Sequence, residues 1–134
     1  MAEELATVND NANFNIPTGY ICTVDISKEE GKITVARALN GSEPLKNYTD
    51  KVLKLKSIIT TPGVRSVSGT DCTNSYMVLE DGKVLFSQSD GVARSLKVIT
   101  GLWGDVLAEG KTVNVKCISQ TLNNGNTLKT IVPA

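Results

Sequence analysis

The stretch Thr70-Asp71-Cys72-Thr73-Asn74-Ser75-Tyr76-Met77-Val78-Leu79-Glu80-Asp81-Gly82-Lys83-Val84-Leu85-Phe86-Ser87-Gln88-Ser89-Asp90-Gly91-Val92-Ala93-Arg94-Ser95-Leu96-Lys97-Val98-Ile99-Thr100-Gly101-Leu102-Trp103 decides the fold. Tyr76 to Leu79 is apolar and β-prone, and Val84-Leu85-Phe86 resumes the pattern after Glu80-Asp81-Gly82-Lys83. Asp-Gly between two such runs signals a tight hairpin, because glycine takes the positive φ the turn needs. Ser89 or Asp90 then offers a helix cap. Val92, Leu96, Ile99 and Trp103 recur at helical spacing, with Leu102 and Val106 widening the stripe and Arg94 and Lys97 off it. This pattern predicts one helix with one buried face. Gly101 and Gly104 soften its last turn, and Gly104 is the expected stop.

Working outward, Lys51 to Thr60 is the clearest strand. Leu53 and Leu55 alternate with Lys54 and Lys56, and a period of two puts both ammonium groups on one face. Pro62-Gly63 reads as a turn pair in a loop from Thr61 to Gly69. Upstream, Tyr20 to Ile26 alternates and reads as a strand. So does Ile33 to Leu39, followed by a polar loop from Asn40 to Asp50. Downstream, Thr112 to Thr121 and Thr127 to Val132 are strands joined by an Asn123-Asn124-Gly125-Asn126 turn. Met1 to Asn15 is acidic, rich in Asn and poor in apolar groups, which predicts a flexible arm.

The expected architecture is mainly β: a five-stranded oligonucleotide-binding-like (OB-like) barrel with one helix between its third and fourth strands. Residues 1–15 form the arm and residues 16–134 a single domain. At 134 residues the chain is long enough for one real core. No run approaches the roughly 18 apolar residues of a membrane helix, and no basic region leads into an apolar one at the start, so no secretory signal or membrane partner is expected. The three cysteines, Cys22, Cys72 and Cys117, are widely spaced and are expected to be reduced, buried and cytoplasmic. Without histidine or a Cys-x-x-Cys pair, neither a metal site nor a cofactor is expected.

Catalysis finds no support either. There is no histidine for general base work, no nucleophile elbow and no phosphate loop. Glu80-Asp81 and Glu29-Glu30 are carboxylate pairs in turns, where solvation accounts for them. Net charge is zero but unevenly spread. Residues 1–30 carry six acids against Lys28, whereas residues 31–65 carry seven bases against two acids. Such asymmetry can mark a surface for a polyanion. Binding of single strands needs cations for phosphates and aromatic faces for bases. The candidate phosphate contacts are Lys51, Lys54, Lys56 and Arg65, with Lys46 and Arg37 next. Tyr48, beside Lys46 and Lys51, is the first stacking candidate. Tyr76 and Phe86, on the two hairpin arms, follow. Trp103 and Tyr20 read as core.

The chain also resembles the single-stranded DNA-binding proteins of small protein-primed Bacillus bacteriophages, from about Thr23 to the end. The matching pieces are Glu30-Gly31, Leu45-Lys46-Asn47, Asp81-Gly82, Phe86, Ser89-x-x-Val92-Ala93 and Thr112-Val113-Asn114-Val115-Lys116. No single piece is specific; their order and spacing carry the likeness. It implies an OB-like fold that coats displaced single strands during phage replication, in the host cytoplasm and without catalysis. Only the Phe86 position carries over from a stacking set. Self-association is left open. The competing expectation is a module of phage origin that binds a host protein or a small ligand, and a weaker one is an assembly protein.

Overall fold

The computed structural model describes residues 18–125 and 127–134. The arm expected over residues 1–15 lies outside the described residues. Two helices and six strands follow in chain order: α1 (Glu29–Asn40), β1 (Glu43–Pro44), a 3₁₀ turn (Leu45–Tyr48), β2 (Val52–Val64), β3 (Asp71–Leu79), β4 (Val84–Ser87), α2 (Asp90–Ala108), β5 (Val113–Thr121) and β6 (Thr127–Pro133). The strands form one barrel-like curled sheet in the order β1-β4-β3-β2-β5-β6. Every pairing is antiparallel except that of β1 with β4.

Strand β2 is the spine. Its first residues, Val52 to Leu55, pair with β5, and Leu55 to Val64 pair with β3. The register with β3 slips between Leu55 and Ser57, which leaves Lys56 as an extra residue at a bulge. A bulge bends its strand and increases local twist, and here it lets one strand serve two halves of the sheet.

Consecutive strand residues point to opposite faces, and both faces are covered. Ile58, Met77 and Leu85 enter one cluster with Val92, Leu96 and Ile99 of α2. Their neighbours Ile59, Val78 and Val84 enter a second cluster with Val35 and Ala38 of α1. Burying an aliphatic side chain of this size contributes about 1.5–3 kcal/mol, so each helix is fixed by its apolar stripe. Helix α2 begins where expected: the Ser89 hydroxyl accepts a hydrogen bond from the Val92 N–H at 3.4 Å. The Asp-Gly hairpin forms too, with Gly82 at φ +92° and the Leu79 N–H donating to the Lys83 carbonyl at 2.8 Å.

Several expectations are corrected. Among the described residues there are six strands, not five, and two helices, not one. In chain order α2 follows the fourth strand, not the third. The predicted strand Ile33 to Leu39 is part of α1. Its buried residues Gly31, Val35 and Ala38 follow the helical period, and Gly31 lets the helix press onto the backbone of Asp25, where a Cβ would overlap the carbonyl. The predicted strand Tyr20 to Ile26 shrinks to a single bridge between Cys22 and Ile59. The Thr23 N–H donates to the Ile58 carbonyl at 3.0 Å and the Thr60 N–H to the Ile21 carbonyl at 2.8 Å. Pro62-Gly63 is not a turn but strand, opposite Thr73 and Cys72. The N–H groups of Ile58 and Thr60 point toward the Ile21–Thr23 segment. Pro62 continues that parity beyond the segment's end, where a missing donor costs nothing. Helix α2 runs past Gly104 to Ala108. Leu102 leaves the core stripe and stands 65% exposed. Cys72 and Cys117 are buried, Cys22 is half-buried, and all three are free thiols.

Candidate nucleic-acid interface

Three shallow clefts gather most of the candidate residues. The first, about 360 Å³, lies where the 3₁₀ turn meets the β3–β4 hairpin and is lined by Tyr48, Lys51, Lys54, Glu80, Asp81 and Lys83 among others. The Tyr48 hydroxyl donates to Glu43 Oε1 at 2.9 Å, which fixes the ring. The Nζ atoms of Lys51 and Lys83 stand 5.5 and 6.0 Å from the ring centroid, within reach of a cation–π attraction. The bond to Glu43 is the largest influence raising the Tyr48 phenol pKa. The backbone N–H of Lys83 is the largest influence holding the Asp81 carboxyl low.

Carboxylates offset much of this charge. Lys54 Nζ lies 3.8 Å from Glu80 and Lys83 Nζ 3.5 Å from Asp81, both pairs in solvent. Exposed pairs of this kind contribute about 0–1 kcal/mol, so either lysine could exchange its carboxylate for a phosphate at little cost. Lys51 has no ion-pair partner among the described residues.

The second cleft, about 190 Å³, is different in character. It is lined by Pro44, Leu45, Lys46, Phe86, Ser87, Gln88 and Lys129, with no carboxylate. Neither lysine has an ion-pair partner among the described residues. Phe86 pairs across the strands with Tyr76, ring centroids 5.2 Å apart. Tyr76 rests on the Ile59–Val78 cluster, and burial raises its phenol pKa.

The third cleft, about 290 Å³, lies between α1 and the sheet. It takes in Arg37 and Lys56, but also Glu30 and Glu80. Lys54 and Lys56 therefore share an exposed side of β2 as the alternation predicts, yet open into different clefts on either side of Glu80. Arg65 lines none of the three. Its guanidinium donates to Asp71 O at 3.2 Å, Gln88 O at 3.1 Å and Asp90 Oδ1 at 3.1 Å. It is engaged in tying the β2–β3 loop to the start of α2.

Sequence reasoning missed two cations, Lys83 and Lys129. Lys83 was legible as the residue after Asp-Gly, placed by the turn next to whatever faces the hairpin. Lys129 carried no local signal, because only the sheet curl brings β6 toward β4. No protein-family model matches the chain, and neither a curated protein nor a solved structure matches it. No cluster of three or more metal-ligating side chains occurs among the described residues, and no helix among them is long and apolar enough to cross a membrane.

Proposed function

We propose that the protein is a non-catalytic, sequence-tolerant single-stranded DNA-binding protein, with the Phe86–Tyr76 face as the centre of its track. The observation that carries this reading is a concavity lined by Phe86, Lys46 and Lys129 and by no carboxylate, with the Tyr76 ring packed against Phe86. Sequence-tolerant binding calls for that pairing of π-faces and phosphate partners. The cleft of Tyr48, Lys51, Lys54 and Lys83 extends the track along the hairpin side.

Topology supports the same reading. With the two-residue β1 set aside, β2 to β6 run as a three-stranded meander, a helix and a hairpin, and the first of these strands is shared between both halves. That order supports an oligonucleotide-binding-like barrel, a fold whose ligand face is carried by its second and third strands. Here those are β3 and β4, which carry Tyr76 and Phe86. The likeness to phage single-stranded DNA-binding proteins adds the biological setting: coating displaced strands during replication in a host cell.

The test is fluorescence anisotropy with a labelled oligothymidylate at low and moderate salt, with duplex DNA as control. Single-strand-selective binding that weakens as salt rises is the expected result. No binding at low salt overturns the proposal.

A further inference from the structure

We propose that α2 pairs, antiparallel, with α2 of a second copy of this chain. Arg94, Val98, Gly101 and Asp105 fall at spacings of four, three and four, which places them on one line along a helix. Leu102 lies beside them. This line faces away from the core: Val98 is 58% and Leu102 65% exposed. None of these residues lines any of the three clefts, so the inference does not rest on DNA binding.

Two features of the line work against an isolated helix. Gly101 sits in the helix interior with nothing within 4 Å of where a Cβ would be, although a mid-helix glycine weakens a helix relative to alanine. Basic Arg94 and Lys97 lie in the half nearer the N-terminus, while Asp105 and then Glu109 lie toward the C-terminal end. The carboxylates at the C-terminal end, with no basic residue in the last turn, oppose the helix macrodipole. Among the described residues neither Arg94 nor Asp105 has an ion-pair partner.

A second copy accounts for both. In a two-fold antiparallel pair the same patch meets itself. Arg94 then lies opposite Asp105 of the partner subunit, and the symmetry repeats the pair. Gly101 falls at the crossing, where a bare backbone lets the axes approach and Val98 of the partner subunit pack over it. Leu102 closes the apolar centre on each side. A polyanion would not favour Asp105 in this line. An unrelated protein would not require the charges to match under reversal.

Sedimentation velocity on the full chain over a wide range of concentration tests this. The wild type is expected to show a reversible monomer–dimer equilibrium, and Leu102→Glu to remain monomeric. Arg94→Asp and Asp105→Arg, each reversing two symmetry-related pairs, should each weaken the dimer about tenfold or more. Combining them should restore it. All three positions exchanged are solvent-facing, and circular dichroism checks that each variant folds. A wild type that stays monomeric overturns the proposal. So does a dimer indifferent to Leu102→Glu, or a combined charge swap no tighter than either single change.

Discussion

Tyr76 and Phe86 face one another across β3 and β4, in register, with ring centroids 5.2 Å apart and planes tilted by 50°. A tilted aromatic pair is worth about 0.5–1.5 kcal/mol beyond its buried area, and its outer ring surface remains a platform for a base. Phe86→Ala is therefore expected to weaken oligothymidylate binding by about 1–3 kcal/mol, the range for losing one stacked base. Phe86→Tyr keeps a ring and should keep most of the affinity. Anisotropy titrations of the two variants, with melting curves to confirm folding, check the contrast.

The lysines make a separate, electrostatic prediction. Each phosphate contact to a single strand contributes about 0.7 to the slope of log affinity against log salt. Lys46→Gln with Lys129→Gln should lower that slope by about 1.4. Arg37→Gln, in the cleft that includes Glu30 and Glu80, should leave it nearly unchanged. Titrations at several salt concentrations read the slopes directly.

Arg65 predicts a loss of stability. Its guanidinium satisfies two backbone carbonyls and the Asp90 carboxylate at once, a planar fork that a single ammonium cannot reproduce. Arg65→Ala is expected to cost about 1–3 kcal/mol, and Arg65→Lys to recover only part of it. Urea unfolding midpoints measure both.

Glycines separate by what surrounds them. Gly91 meets the carbonyl of Lys129 and the side chain of Leu128, where a Cβ would overlap both. Gly91→Ala must push the start of α2 off β6 and should lower the melting temperature. Gly101→Ala meets nothing and should raise monomer stability by about 0.5–1 kcal/mol. Calorimetry on the two variants tests the opposite signs.

Tyr48 supplies a pH dependence. The fold raises its phenol above the ordinary value of 10.0, first through the bond to Glu43. A raised pKa means that folding favours the protonated phenol. The stabilisation is therefore fully present below the unfolded pKa and is lost as pH rises through the folded one. The melting-temperature gap between wild type and Tyr48→Phe should close in that alkaline window. Glu43→Gln should move the phenolate absorbance titration of Tyr48 to lower pH.

Where the sequence spoke clearly, one signal lacked a rival. Asp81-Gly82 has a single easy conformation, and the stripe Val92, Leu96, Ile99 is long enough to separate a period of 3.6 from a period of two. Over α1 the sequence carries two rival signals, and the one for a strand is the stronger. Ile33, Thr34 and Val35 are β-branched, and a short window of alternation fits Ile33, Val35 and Arg37 as well as helical spacing fits Gly31, Val35 and Ala38. The N-cap is Lys28, with no side-chain bond to the first turn, so the usual start signal was missing. Its acidic first turn, Glu29 and Glu30, was the cue available. Among the candidate residues, alternation placed Lys54 and Lys56 correctly outward. It could not foresee that the bulge at Lys56 and the hairpin acid Glu80 send them to different clefts. The grouping of Lys46 and Lys129 with Phe86 depends on β6 folding back toward β4, which no local window contains.

The shared spine carries a consequence for synthesis. As the chain leaves the ribosome, β3 can zip onto the second half of β2 at once, since only a short loop separates them. The first half, Val52 to Leu55, must wait for β5, which arrives only after the hairpin and all of α2 have been made. Through that interval it is a bare strand edge, open to pairing with another nascent chain. Charged side chains on an edge discourage such pairing. Lys51, Lys54 and Lys56 stand along this one, so the same ammonium groups guard the newborn protein against its neighbours before any ligand is met.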